Sequence, residues 1–156
     1  MTAHWRVETW PFSFSNANSP LTNKPTFSTI HPMLSLPEFE ALVMEAMDSL
    51  PPFFQERMNN VELLVKPWPT AAELHAAHVP AGHTLLGLYR GIPLTERTSG
   101  YNLVPPDTIT LYQGPIERAA AGDFAAIRAQ VRHTVIHEIA HHFGISDERL
   151  RELGAY

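Results

Sequence analysis

At 156 residues the chain has room for one domain with a real core and not for two of ordinary size. Hydrophobic residues make up 44% and charged ones 17%, which excludes a disordered chain, and a net charge of -5 argues against a partner that is mainly nucleic acid or anionic membrane. There is no cysteine, so any metal must be held by histidine and carboxylate.

Residues 1–32 are rich in Ser, Thr, Asn and Pro and show no sustained period. They read as an irregular N-terminal arm, with Trp5, Trp10, Phe12 and Phe14 available to pack it, ahead of a single domain at 33–156. Met1 to Phe14 contain no continuous apolar stretch of the signal-peptide kind, and no run reaches the roughly 20 residues of a membrane helix. The expected location is therefore the cytoplasm.

Ser35-Leu36-Pro37-Glu38 has the form of a capping box. Phe39, Leu42, Val43, Ala46, Met47 and Leu50 follow at spacings of three and four, so a helix with one core-facing stripe is predicted up to Pro51-Pro52. A short helical piece through Phe53 to Met58 comes next. Val61, Leu63 and Val65 predict a first strand, Thr84 to Tyr89 a second and Thr108 to Tyr112 a third, with loops at 66–83 and 97–106. The last long helix is predicted from an N-cap at Asp123 to a stop at Gly144, with Ile127, Val131, Val135 and Ile139 along one side. A helix, three strands and a helix imply an α+β fold, a small mixed sheet packed on helices.

Residues 137–147 read H-E-I-A-H-H-F-G-I-S-D. His137 and His141 are one helical turn apart, so both imidazoles reach the same ion, about 2 Å from each ring nitrogen. Glu138 lies about 100° around the helix from His137, placed to serve a water as general base without ligating. Gly144 allows a left-handed exit that turns the chain back and brings Asp147 in as third ligand. Three protein ligands leave a fourth position open, the arrangement of catalytic zinc. Glu148 is the competing carboxylate, better suited to the first turn of the final helix. His133 lies too far along the helix to share the ion with His141. His142 is expected to pack or hydrogen-bond against the sheet. His75, His78 and His83 read as residues of a solvated loop in preference to a second metal site.

From Ser35 onward the sequence resembles the minimal zincin-like metallopeptidases, a family of small bacterial proteins. The resemblance is carried by Glu45-Ala46-Met47-Asp48-Ser49-Leu50-Pro51, Leu86-Gly87-Leu88-Tyr89-Arg90-Gly91-Ile92-Pro93-Leu94, Pro106 to Ile116 and the metal motif. It implies a zincin-like α+β fold, zinc at His137, His141 and Asp147, Glu138 as base and a peptide or protein substrate. Hydrolysis would then use a zinc-activated water, and the carboxylate ligand predicts a weaker Lewis acid and a less acidic water, hence modest activity or an alkaline optimum. Thr108 to Tyr112 is the candidate cleft edge for an extended peptide. Tyr89, Arg90, Arg97, Tyr101 and Tyr112 are the candidates for stabilising the oxyanion. Only twelve residues follow Gly144, so a shallow cleft is expected, walled by an oligomer or by the arm. The competing readings are a non-catalytic, zinc-stabilised interaction domain and, behind it, a metal-dependent endoribonuclease, which the acidic charge disfavours.

Overall fold

The computed structural model describes residues 6–11, 34–97 and 105–153. Trp5, Phe12, Phe14 and Tyr101 lie outside them. Strand β1 spans Arg6–Pro11, and helix α1, Leu36–Asp48, begins after Ser35. The predicted box is closed by Glu38, whose carboxylate accepts from the Ser35 backbone N–H at 2.8 Å. Phe39, Leu42, Val43 and Ala46 form the buried stripe. Then come α2 (Pro52–Gln55), β2 (Val61–Lys66), α3 (Ala71–Ala76), β3 (His83–Arg90), a 3-10 turn at Leu94–Glu96, β4 (Asp107–Tyr112), α4 (Gln113–Ala119), α5 (Phe124–His142) and α6 (Asp147–Glu152).

The sheet has the order β1-β3-β4-β2; β3 runs antiparallel to β1 and β4, and β2 parallel to β4. Strand alternation divides the apolar side chains into two layers. Tyr89, Ile109 and Leu111 join α1 and α5 in the main core with Phe39, Val131, Val135 and Ile139. On the other face Leu85, Leu88 and Tyr112 meet Leu74 and Ala77 of the α3 region. The fold is thus α+β, with the histidine motif on the last long helix. Among the described residues no helix is long and apolar enough to cross a membrane.

Four expectations change. Six residues of the arm are a regular strand, pairing Arg6 with Tyr89 and Pro11 with His83. The loop expected at 66–83 contains α3, started by Thr70, whose side chain accepts from Glu73 N–H. A buried helix, α4, follows β4 without a break. And β4 is no cleft edge: it pairs with β2 along 107–112 and with β3 along 108–111, so its hydrogen-bonding groups are engaged on both sides.

Between the pairs Val7–Leu88 and Thr9–Leu85 the register shifts, so β3 carries one residue more than β1 over this stretch. Bulges re-aim side chains. Here Leu86 joins the main core and Gly87 also faces α5. A Cβ on Gly87 would lie 2.6 Å from Glu138 Oε1 and 2.7 Å from Thr134 Cγ2, so only glycine lets the helix come this close.

Candidate metal centre

Helix α5 begins where Asp123 accepts from Ala126 N–H at 2.8 Å. Its early turns bury one stripe, Ile127, Val131 and Val135, whereas all six residues from His137 to His142 are buried. Histidine and glutamate are seldom fully buried without partners. Their burial here rules out a solvated face and makes the end of α5 the candidate site.

The helix then stops in a Schellman arrangement. Gly144 N–H donates to His141 O and Ile145 N–H to Ala140 O, each at 2.9 Å, with Gly144 at φ +79. Ser146 caps α6, accepting from Arg149 N–H, and Asp147 is the first residue of that helix. The reversal carries Asp147 back beside the histidines. His137 Nε2 and His141 Nε2 are 3.0 Å apart, and Asp147 Oδ1 is 3.3 Å from the first and 3.1 Å from the second. Glu148 stays exposed.

These distances test whether the three residues suit a metal. A tetrahedral ion with bonds of about 2.0–2.1 Å has its ligand atoms about 3.3 Å apart, close to the separations found. The chemistry of the donors agrees. His141 Nδ1 is 2.9 Å from Ile145 O, and a carbonyl only accepts, so the ring proton belongs on Nδ1 and Nε2 keeps its lone pair. That lone pair faces a carboxylate oxygen and a second imidazole nitrogen. Acceptors at such distances repel unless a cation or a proton lies among them, and the group fits a metal ion.

Glu138 is fully buried, its carboxylate packed against Gly87 on the sheet side of the helix. His133 stacks at 6.2 Å between ring centroids from His137 and is not part of the cluster. His142 is buried, with Nδ1 3.1 Å from Asp107 Oδ2, and burial lowers its pKa from the ordinary value. His75 lies in α3, His78 has φ 54, and His83 opens β3. Tyr89 donates to Asp107 at 2.8 Å and Arg97 is bonded to the same carboxylate. Burial, reinforced by the Asp107 bond, raises the Tyr89 pKa above its ordinary value. Tyr112 is fully buried; desolvation and then the charge of Glu73 push its hydroxyl upward. Arg90 is half-exposed and 4.0 Å from Glu73.

A family model of zincin-like metallopeptidases matches residues 58–155, well over half of the chain. The chain belongs to that family. A search of curated proteins finds no match. The zincin-like match begins at residue 58, later than the Ser35 at which the resemblance sets in, so α1 lies outside it although it covers α5 in the core.

Two features of this zincin-like site lie outside the motif. Gly87 sets the helix-to-sheet distance at Glu138, and an isolated glycine within a strand was the available signal. Asp107 collects His142, Tyr89 and Arg97. No local pattern announces it, because its partners come from three separate segments.

Proposed function

We propose that the protein is a zinc-dependent metallohydrolase that cleaves peptide bonds, with His137, His141 and Asp147 holding the ion and Glu138 acting as general base. The observation that carries this is the convergence of three possible ligand atoms at 3.0–3.3 Å, two from the end of α5 and one from the start of α6, within the residues that match the zincin-like family. Bound zinc would supply Lewis acidity at the scissile carbonyl and lower the pKa of water.

The chain's own residues do the rest. His141 is oriented by its Nδ1–H bond to Ile145 O, which turns Nε2 inward. Asp147 adds a negative charge, so the centre carries net +1 rather than +2. Glu138, held between the helix and Gly87, takes the proton of the attacking water and returns it to the leaving nitrogen. Its burial favours this role, since a base shielded from bulk solvent keeps its proton for the reaction.

The same enclosure favours a second reading, a zinc-stabilised interaction domain, because His137 and His141 are each only 2% exposed. The two separate in one experiment. Zinc-loaded protein is incubated with an unstructured protein and a peptide library, with and without chelator, beside Glu138→Gln. Chelator-sensitive cleavage that Glu138→Gln loses while retaining its zinc supports the peptidase. Stoichiometric zinc with no cleavage of any peptide leaves the interaction domain.

A further inference from the structure

Asp107 opens β4 and is 2% exposed. Its Oδ2 accepts from the Tyr89 hydroxyl at 2.8 Å and from the Arg97 guanidinium, and His142 Nδ1 lies 3.1 Å from the same oxygen. Its Oδ1 accepts from Ile92 N–H at 3.4 Å, and Arg97 Nε donates to Ile92 O at 3.0 Å. Residues 91–97 are therefore pinned near both ends to one buried carboxylate.

The crest of that loop is the 3-10 turn Leu94–Glu96, and Thr95 sits directly over Gly144. A Cβ on Gly144 would lie 2.2 Å from Thr95 Oγ1, so the loop rests on the backbone that turns the chain from α5 to α6. On the preceding side the turn is held by His142, bonded to Asp107. These two restraints, added to the turn's own backbone bonds, both lead back to Asp107. Asp147, whose side chain is 25% exposed, leaves this turn as the candidate ligand that α5 does not itself deliver.

We infer that Asp107, acting through Arg97, Thr95 and His142, positions the metal centre by clamping the Gly144 turn so that Asp147 meets the two histidines. This rests on the zinc-site reading above. These are positioning residues, since none of them is a member of the His137–His141–Asp147 cluster. A charged carboxylate bonded to three side chains defines a location better than apolar packing alone. Loss of such outer partners typically weakens metal binding about 10- to 100-fold.

The test is zinc titration against a competing chelator on the full chain, for wild type, Asp107→Asn, Arg97→Gln and Thr95→Gly. Amide hydrogen exchange at 143–147 and thermal melts without metal are recorded on the same samples. Zinc affinity should fall about 10- to 100-fold in the first two variants and several-fold in Thr95→Gly, with faster exchange at 144 and 145 and unchanged exchange in α1 and β2. Thr95 is exposed, so its variant carries the test even if Asp107→Asn does not fold. Folded variants that bind zinc as tightly as wild type, or that melt earlier with no change at 143–147, overturn the inference. A wild-type chain that binds no zinc removes the site reading first, before any substitution is made, and the inference with it.

Discussion

Asp147 and Glu148 are neighbours at the start of α6, yet only Asp147 turns toward the histidines while Glu148 stays in solvent at the positive end of the helix. Their substitutions should therefore diverge. Asp147→Ala removes a candidate ligand and should cost more zinc affinity than the roughly 10- to 100-fold typical of an outer partner. Glu148→Ala should cost at most about 1 kcal/mol of stability and leave zinc binding as it was. Calorimetric titration with zinc decides it, and equal losses in both variants would defeat the assignment. A second contrast concerns Glu138. Gly87→Ala puts a methyl group 2.6 Å from its Oε1, so the carboxylate must move. Stability should fall by about 1–3 kcal/mol from overpacking, and peptide hydrolysis should fall further than zinc content does. Full hydrolysis by a folded Gly87→Ala protein would show that the place of Glu138 is not set by this contact.

A helix of six residues has little stability of its own, and beside the packing of Leu74 one carboxylate caps α3 and ties it to the sheet. Glu73 closes a capping box on Thr70 at 2.8 Å and pairs with Lys66 at 2.7 Å, tying the helix to the end of β2. Burial alone would raise its pKa, but the hydrogen bonds from Lys66 and Thr70 outweigh it and bring the pKa from 4.5 to about 2. Because the folded value lies below the unfolded one, this stabilisation is complete above pH 4.5 and is lost as pH falls toward 2. With Lys66 partly in solvent, about 1–2 kcal/mol is expected near neutrality. Glu73→Gln should be less stable by that amount at pH 7, and the gap should close in acid; denaturant melts at pH 7 and pH 3 test this, and a constant gap would contradict it. The same box, Thr70-x-x-Glu73, was readable in the sequence but was masked by the Pro, Ala and His around it. Elements with a full period, α1, β3, β4 and α5, were legible because each shows a clear face to the core. Helix α4 was not, since Gly114-Pro115 reads as a breaker although proline is tolerated in a first turn. The interior place of β4 was out of reach, because strand order is a non-local property and alternation reports only faces.

At the scale of the whole molecule, β1 covers one side of β3 with a partner more than seventy residues away in sequence. Removing residues 1–33 should bare a hydrogen-bonding edge along 83–89, and exposed edges recruit other chains. The shortened protein should self-associate, seen by light scattering as dimers or larger species at concentrations where the full chain does not form them. A truncated chain with the same association state as the full one would mean that β1 does not protect that edge.

All four strands among the described residues precede residue 113, and α5 starts only at residue 124. A ribosome therefore delivers every strand before the helix bearing the histidines, and a chain grows by only about 5–20 residues per second. The sheet, including its slow long-range pairings, has time to search while the motif is still unmade. The three converging side chains span residues 137 to 147, so they come together by local closure, within microseconds once the helix forms. On the zinc reading, metal capture would close biogenesis rather than seed it, and a nascent chain halted before residue 137 would hold none of the three candidate ligands.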